Sequence, residues 1–149
     1  MSEPIKLGLL LGLLPFGASP LASQKTWQAD IRIQAMEVIP VGQGSLSLRV
    51  QVAGGDQEIA RESRLEILVP VGVEVVRTTG GCHAGTSPLP AVAGRVTCHL
   101  GDLPVRGLRE VTLTTSRPPK GNEARFAAFV LSNTPDPIPS NNFAERPAR

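Results

Sequence analysis

Every cysteine and every histidine of the chain sits in one of two identical dipeptides, Cys82-His83 and Cys98-His99. Two thiolates and two imidazoles make a complete tetrahedral set for zinc, or a soft site for copper. In an oxidising compartment the same two cysteines would instead close a disulfide and leave any ligand set. The pattern around Cys98 favours the bridge. Val96, Cys98 and Leu100 alternate with Arg95, Thr97 and His99, so if Cys98 faces a core, His99 faces away from it, and one metal could not readily take both. A blue-copper arrangement also fails: it needs a second His and usually a Met shortly after the Cys, whereas Met1 and Met36 both lie upstream. The expectation is therefore a Cys82–Cys98 disulfide with no metal and no cofactor. The alternative is a small exported metal-binding protein using His83 and His99 with the cysteines. Closing a loop of this size stabilises a fold by about 3 kcal/mol on the chain-entropy model.

Other catalytic patterns are missing. There is no G-x-S-x-G elbow, and neither His has an obvious carboxylate partner in sequence. Gly42-Gln-Gly44 lacks the third glycine and following helix of a dinucleotide fingerprint, and no Walker lysine loop occurs. Asp102 and Glu110 come closest to a paired acid and base, but neither is assigned a role, and the chain reads as a non-enzyme. A formal charge of +2 with 19% charged residues speaks against a nucleic-acid partner. Arg106, Arg109, Arg117, Lys120 and Arg125 would form a basic rim only if their strands were neighbours; otherwise they are ordinary solubility charges.

The segments that must position these residues begin after an address. Leu7 to Phe16 is an apolar run of signal-peptide length, about ten residues, short of the roughly 20 that a membrane-spanning helix needs. Small residues at Gly17, Ala18, Ser19, Ala22 and Ser23 follow, so residues 1–22 are expected to be a signal peptide cut near Ala22. That implies a periplasmic or extracellular protein with no transmembrane segment after processing. Residues 23–28 would form an N-terminal tail, 29–145 the domain and 146–149 a C-terminal tail.

Within the domain the apolar period is two. Ile31, Ile33 and Ala35 alternate with polar neighbours; Leu46, Leu48, Val50 and Val52 do so without a break; Leu65, Ile67 and Val69 continue the pattern. Val73 to Arg77, the segment around Cys98, Val111 to Thr115 and Ala124 to Leu131 complete about seven strands. Asp56 to Glu66 is expected to be a loop or edge segment, and Thr78 to Gly94 a loop rich in Gly, Ser and Pro. With 15 Gly and 14 Pro marking frequent turns, the fold expected is an immunoglobulin-like antiparallel β-sandwich. Pro70 can pre-set a turn, Gly72 or Gly107 can supply a positive φ, and Asp136, Asn141 and Asn142 can bond nearby backbone at the corner before the final strand. As a calcium site that last group is thin: one carboxylate and two amides for six to eight ligands.

Three of these segments resemble a known family. Val69-Pro70-Val71-Gly72-Val73 resembles its "LP-x-G" turn, Cys98-His-Leu-Gly-Asp-Leu103 with Gly107 its "C-x-L-G-x-L-x-x-G" segment, and Asp136-Pro-Ile-Pro-Ser-Asn-Asn-Phe-Ala144 its closing "D-x-x-P-x-N-N-x-A". The family is the immunoglobulin-like repeat catalogued as domain of unknown function eleven, found in bacterial secreted and surface proteins. The resemblance implies an immunoglobulin-like sandwich at the cell envelope with no catalytic residues to carry over. It departs at Ala53-Gly54-Gly55-Asp56, where the family usually has Asn-x-Gly.

The four Phe and one Trp also carry information, since no Tyr accompanies them. If Phe126 lies in the core, Phe129 points the other way and is left to cover a second apolar surface or to meet a protein or glycan partner at the envelope. No oligomeric state is read from the sequence.

Overall fold

The computed structural model describes residues 26–86, 92–120 and 123–149. The expected signal peptide and its cleavage site lie outside the described residues. In chain order the strands are β1 (Ile31–Val41), β2 (Ser45–Gly54), β3 (Ala60–Pro70), β4 (Val75–Thr78), β5 (Cys82–Thr86), β6 (Val92–Leu103), β7 (Leu108–Ser116), β8 (Arg125–Leu131) and β9 (Phe143–Pro147). Among the described residues one 3-10 turn, Pro139–Asn141, is found, just before β9. Among the described residues no helix is long and apolar enough to cross a membrane.

All pairings are antiparallel and make two sheets, β1-β2-β7-β4 and β5-β6-β3-β8-β9. The first order matches the A-B-E-D sheet of an immunoglobulin constant-type fold, and β3-β8-β9 matches its C-F-G sheet. β6 and β5 extend the second sheet past β3. The expected sandwich is therefore present, with nine strands among the described residues in place of about seven.

The two inner faces build one core. Leu46, Leu48, Val50 and Val52 of β2 and Val111 and Leu113 of β7 meet Leu65, Ile67 and Val69 of β3, Val96 and Cys98 of β6, and Phe126, Ala128 and Val130 of β8. Strict alternation puts all of them on one side of their sheet. Burying each large side chain contributes about 1.5–3 kcal/mol.

Departures from the expected strands have local causes. In β1 the register with β2 shifts between Ile33 and Ala35, leaving Gln34 as an extra residue. The bulge flips the inward set, so Met36 is buried where plain alternation from Ile31 would expose it. Asp56 to Glu66 is neither loop nor edge over most of its length. From Ala60 it is β3, the strand between β6 and β8. Its start is disguised by register shifts around Ser63 and by Glu62, which takes φ +47. Ser63 turns inward and donates its hydroxyl to the Ala60 carbonyl at 3.0 Å. The expected loop from Thr78 to Gly94 contains β5, a short strand that the Cys82–Cys98 pairing fastens to β6. At the C-terminus β9 runs to Pro147, and Ala148 is buried and donates its N–H to the Ala124 carbonyl at 2.8 Å, so residues 146–148 belong to the sandwich.

Pro70 ends β3 and its carbonyl accepts the Val73 N–H at 3.2 Å, while Gly72 holds φ +84. After β6, the Gly107 N–H bonds the Pro104 carbonyl at 2.8 Å, but the positive φ falls on Arg106 (+56), not on Gly107. Gly107 is required for space: a Cβ there would lie 2.7 Å from Pro104 Cδ and 2.9 Å from its carbonyl oxygen.

Candidate contact surface

The side chains that alternate outward from β5, β6, β3, β8 and β9 form rows across the larger sheet. One row runs His83, Thr97, Glu66, Phe129, Phe143 by direct register. Beside it His99 faces Arg64, which faces Leu131; on its other side Arg95 faces Leu68, which faces Ala127. Directly opposed residues on one face have Cβ atoms about 4.5–5.5 Å apart, so each row is a line of touching neighbours.

At the centre of this face lies a charge that its position would ordinarily leave wet. Glu66 has a side chain only 10% exposed and takes an ion pair from each flank, Arg64 Nε to Oε1 at 3.4 Å and Arg95 Nη1 to Oε2 at 3.1 Å. Phe129 stands directly opposite it on β8, and the two arginines reach it from the neighbouring rows. Towards the β9 edge three apolar side chains stand beside the exposed Arg125–Glu145 ion pair at 3.6 Å. Phe129 is half-buried, Phe143 beside it is 52% exposed, and Leu131 is exposed. Phe126 is fully buried on the other side of the same strand.

The two dipeptides are resolved at the β5 edge. Cys82 and Cys98 stand opposite one another in the ladder and are joined by a disulfide, with Cys98 facing the core. A four-ligand set with thiolates is thereby ruled out, because both sulfurs are bonded to each other. His83 and His99 are exposed on the outer face, their ring centres 6.2 Å apart.

Of the three corner residues, Asp136 acts on backbone through its side chain, Asn141 on the Asp30 carboxylate, and Asn142 through its main-chain carbonyl. Asp136 accepts the Ile31 N–H at 3.0 Å through one carboxylate oxygen and the Ile138 N–H at 2.7 Å through the other. Asn141 donates its amide to Asp30 Oδ1 at 2.8 Å, and the Asn142 carbonyl accepts the Val130 N–H at 2.9 Å. Together they tie the start of β1 to the segment between β8 and β9. Among the described residues no group of three or more His, Cys, Asp or Glu is placed to hold a metal.

The remaining candidates are dispersed. Asp102 accepts the Glu62 N–H at 2.9 Å and pairs with Arg61, whereas Glu110 pairs with Arg49 on the other sheet. The basic residues make no single rim: Arg106 pairs with Asp56, Arg125 with Glu145, and Arg109 and Arg117 sit at opposite ends of β7. One feature escaped sequence reasoning. Trp27, placed in the expected tail, is 62% exposed and lines a groove of about 400 Å³ with Ile59, Arg61, Asn133, Thr134 and Pro135. Its only signal was that the sole Trp of the chain stands outside the alternating pattern.

No family model matches the chain, and neither does any curated protein. Among solved structures it is similar to part of the GH20 exo-β-N-acetylglucosaminidase of Vibrio harveyi. An inactive mutant of that enzyme gives a TM-score of 0.45 at 5% identity, over 82% of this chain and 17% of the other. The complex with N-acetylglucosamine gives 0.38 at 7% identity over the same shares. This chain therefore spans about a sixth of the length of those it matches.

Proposed function

We propose that the protein is an exported, non-enzymatic interaction module that meets a protein partner at the cell envelope through the outer face of the β5-β6-β3-β8-β9 sheet. The observation that carries this reading is the exposed Phe143, paired across strands with half-buried Phe129 and continued by Leu131, next to the covered Arg64–Glu66–Arg95 group. Aromatic and arginine side chains around a desolvated centre are what protein interfaces enrich. Export is supported by the disulfide and by the apolar run Leu7 to Phe16, and a surface role by the resemblance to the bacterial immunoglobulin-like repeat.

The test has two arms. N-terminal sequencing of the protein recovered outside the cytoplasm is expected to begin near Ser23; recovery from the cytoplasm with Met1 retained overturns export. Immobilised protein is expected to capture an envelope partner that Phe143→Ser and Phe129→Ala both lose. Equal capture by both variants overturns the assignment of the face.

A further inference from the structure

The geometry points to His83 and His99 as a two-imidazole binding site for a late first-row divalent cation, with Cu(II) held most tightly. An ion bound at about 2.0–2.1 Å from an imidazole nitrogen lies about 3.2 Å from the ring centre, so two rings sharing one ion have centres at most about 6.4 Å apart. The observed 6.2 Å is inside that limit before any ligand draws the rings together. Both side chains are exposed, so they can turn about their own bonds to close a bent geometry without disturbing the core.

What makes the pair a site is the support beneath it. Each His follows a cysteine of the bridge, and the bridge joins positions directly opposed in the β5–β6 ladder. The His99 N–H donates to the Gly81 carbonyl at 2.9 Å, and His83 stands opposite Thr97 in the same register. Both ligand backbones are therefore fixed, and the second imidazole binds at high effective concentration once the first has bound. Oxidation of the thiols on the inner face removes the soft donors and leaves only nitrogen outside. Imidazole suits Cu, Zn and Ni, and divalent affinity rises to a maximum at Cu(II). Arg64, opposite His99, has its guanidinium turned to Glu66 at 3.4 Å, so its charge is offset. With two protein ligands, water fills the remaining positions and the ion stays exchangeable. The site lies on the β5 edge, on the opposite edge of the sheet from Phe143, and stands independently of the proposed partner face.

The experiment is Cu(II) titration of the disulfide-intact full chain, followed by calorimetry and electron paramagnetic resonance. One equivalent is expected, with a spectrum showing two equatorial imidazole nitrogens. His83→Ala and His99→Ala should each weaken binding about 100-fold while leaving the melting temperature of the metal-free protein in place. Zn(II) and Ni(II) should bind the same pair more weakly. Unchanged affinity in either single variant, or a spectrum with fewer than two imidazole nitrogens, overturns the site.

Discussion

On the outside of the four-stranded sheet, β2 and β7 set Ser47 against Thr114 and Arg49 against Thr112. Arg49 reaches Glu110 at 3.6 Å and Glu37 at 4.0 Å, and Gln51 donates to Glu110 at 3.1 Å, the three charged side chains all exposed. On the outside of the five-stranded sheet, the corresponding central strands set Glu66 against Phe129 and cover its carboxylate with two arginines, while Phe143 stands beyond. Both sheets bury alternating aliphatic residues underneath, so the difference belongs to the outer faces alone. Hydroxyls and exposed ion pairs add little to stability and keep a β surface wet. A covered charge beside an exposed Phe143 is the contrast on which the proposed contact face rests.

Substitutions test the difference between the two faces. The largest effect is expected beneath it: Phe126→Ala, which empties the core position shared by both sheets, should cost about 3–5 kcal/mol in urea unfolding. A loss below 1 kcal/mol would mean that the sheets do not pack as described. Replacing both cysteines with serine should remove about 3 kcal/mol, again by urea unfolding, since it frees β5 from β6. The two faces separate at the next level. Glu66→Gln removes the negative charge that Arg64 and Arg95 share, leaving a neutral amide with one acceptor oxygen between them, and should cost about 1–2 kcal/mol. Glu110→Gln, its counterpart on the solvated face, should stay within about 0.5 kcal/mol. Equal costs for the two would erase the comparison. Smallest in stability is Phe143→Ser, expected within about 1 kcal/mol because the ring is half in water; its effect should appear in partner capture instead.

How far the sequence foretold these faces follows from where the period of two survives. β2, β7 and β8 keep it without a break, so their inward residues, Phe126 among them, could be named from spacing alone. β1 loses it at Gln34 and β3 at Glu62 and Ser63, because a bulge or a positive φ shifts which side chains face in, and that shift leaves no mark in composition. Asp102 supplies the compensation at β3 by accepting the Glu62 N–H, a contact across 40 positions that no local pattern announces. β5 was hidden because its Cys-His-Ala-Gly-Thr carries the glycine and small residues of a loop; only its disulfide and ladder to β6 make it a strand. At the candidate surface, Phe129 and the outward His99 were legible from alternation. The burial of Glu66 was not, because it depends on Arg95 and Phe129 arriving from two other strands.

The most direct test of the contact face places a photo-crosslinking amino acid at Phe143 in one variant and at Thr114, on the opposite outer face, in another, and irradiates both in the native envelope. Position 143 is expected to give a discrete crosslinked product and position 114 none. Crosslinking from 114 alone, or equally from both, would overturn the assignment of the contact face.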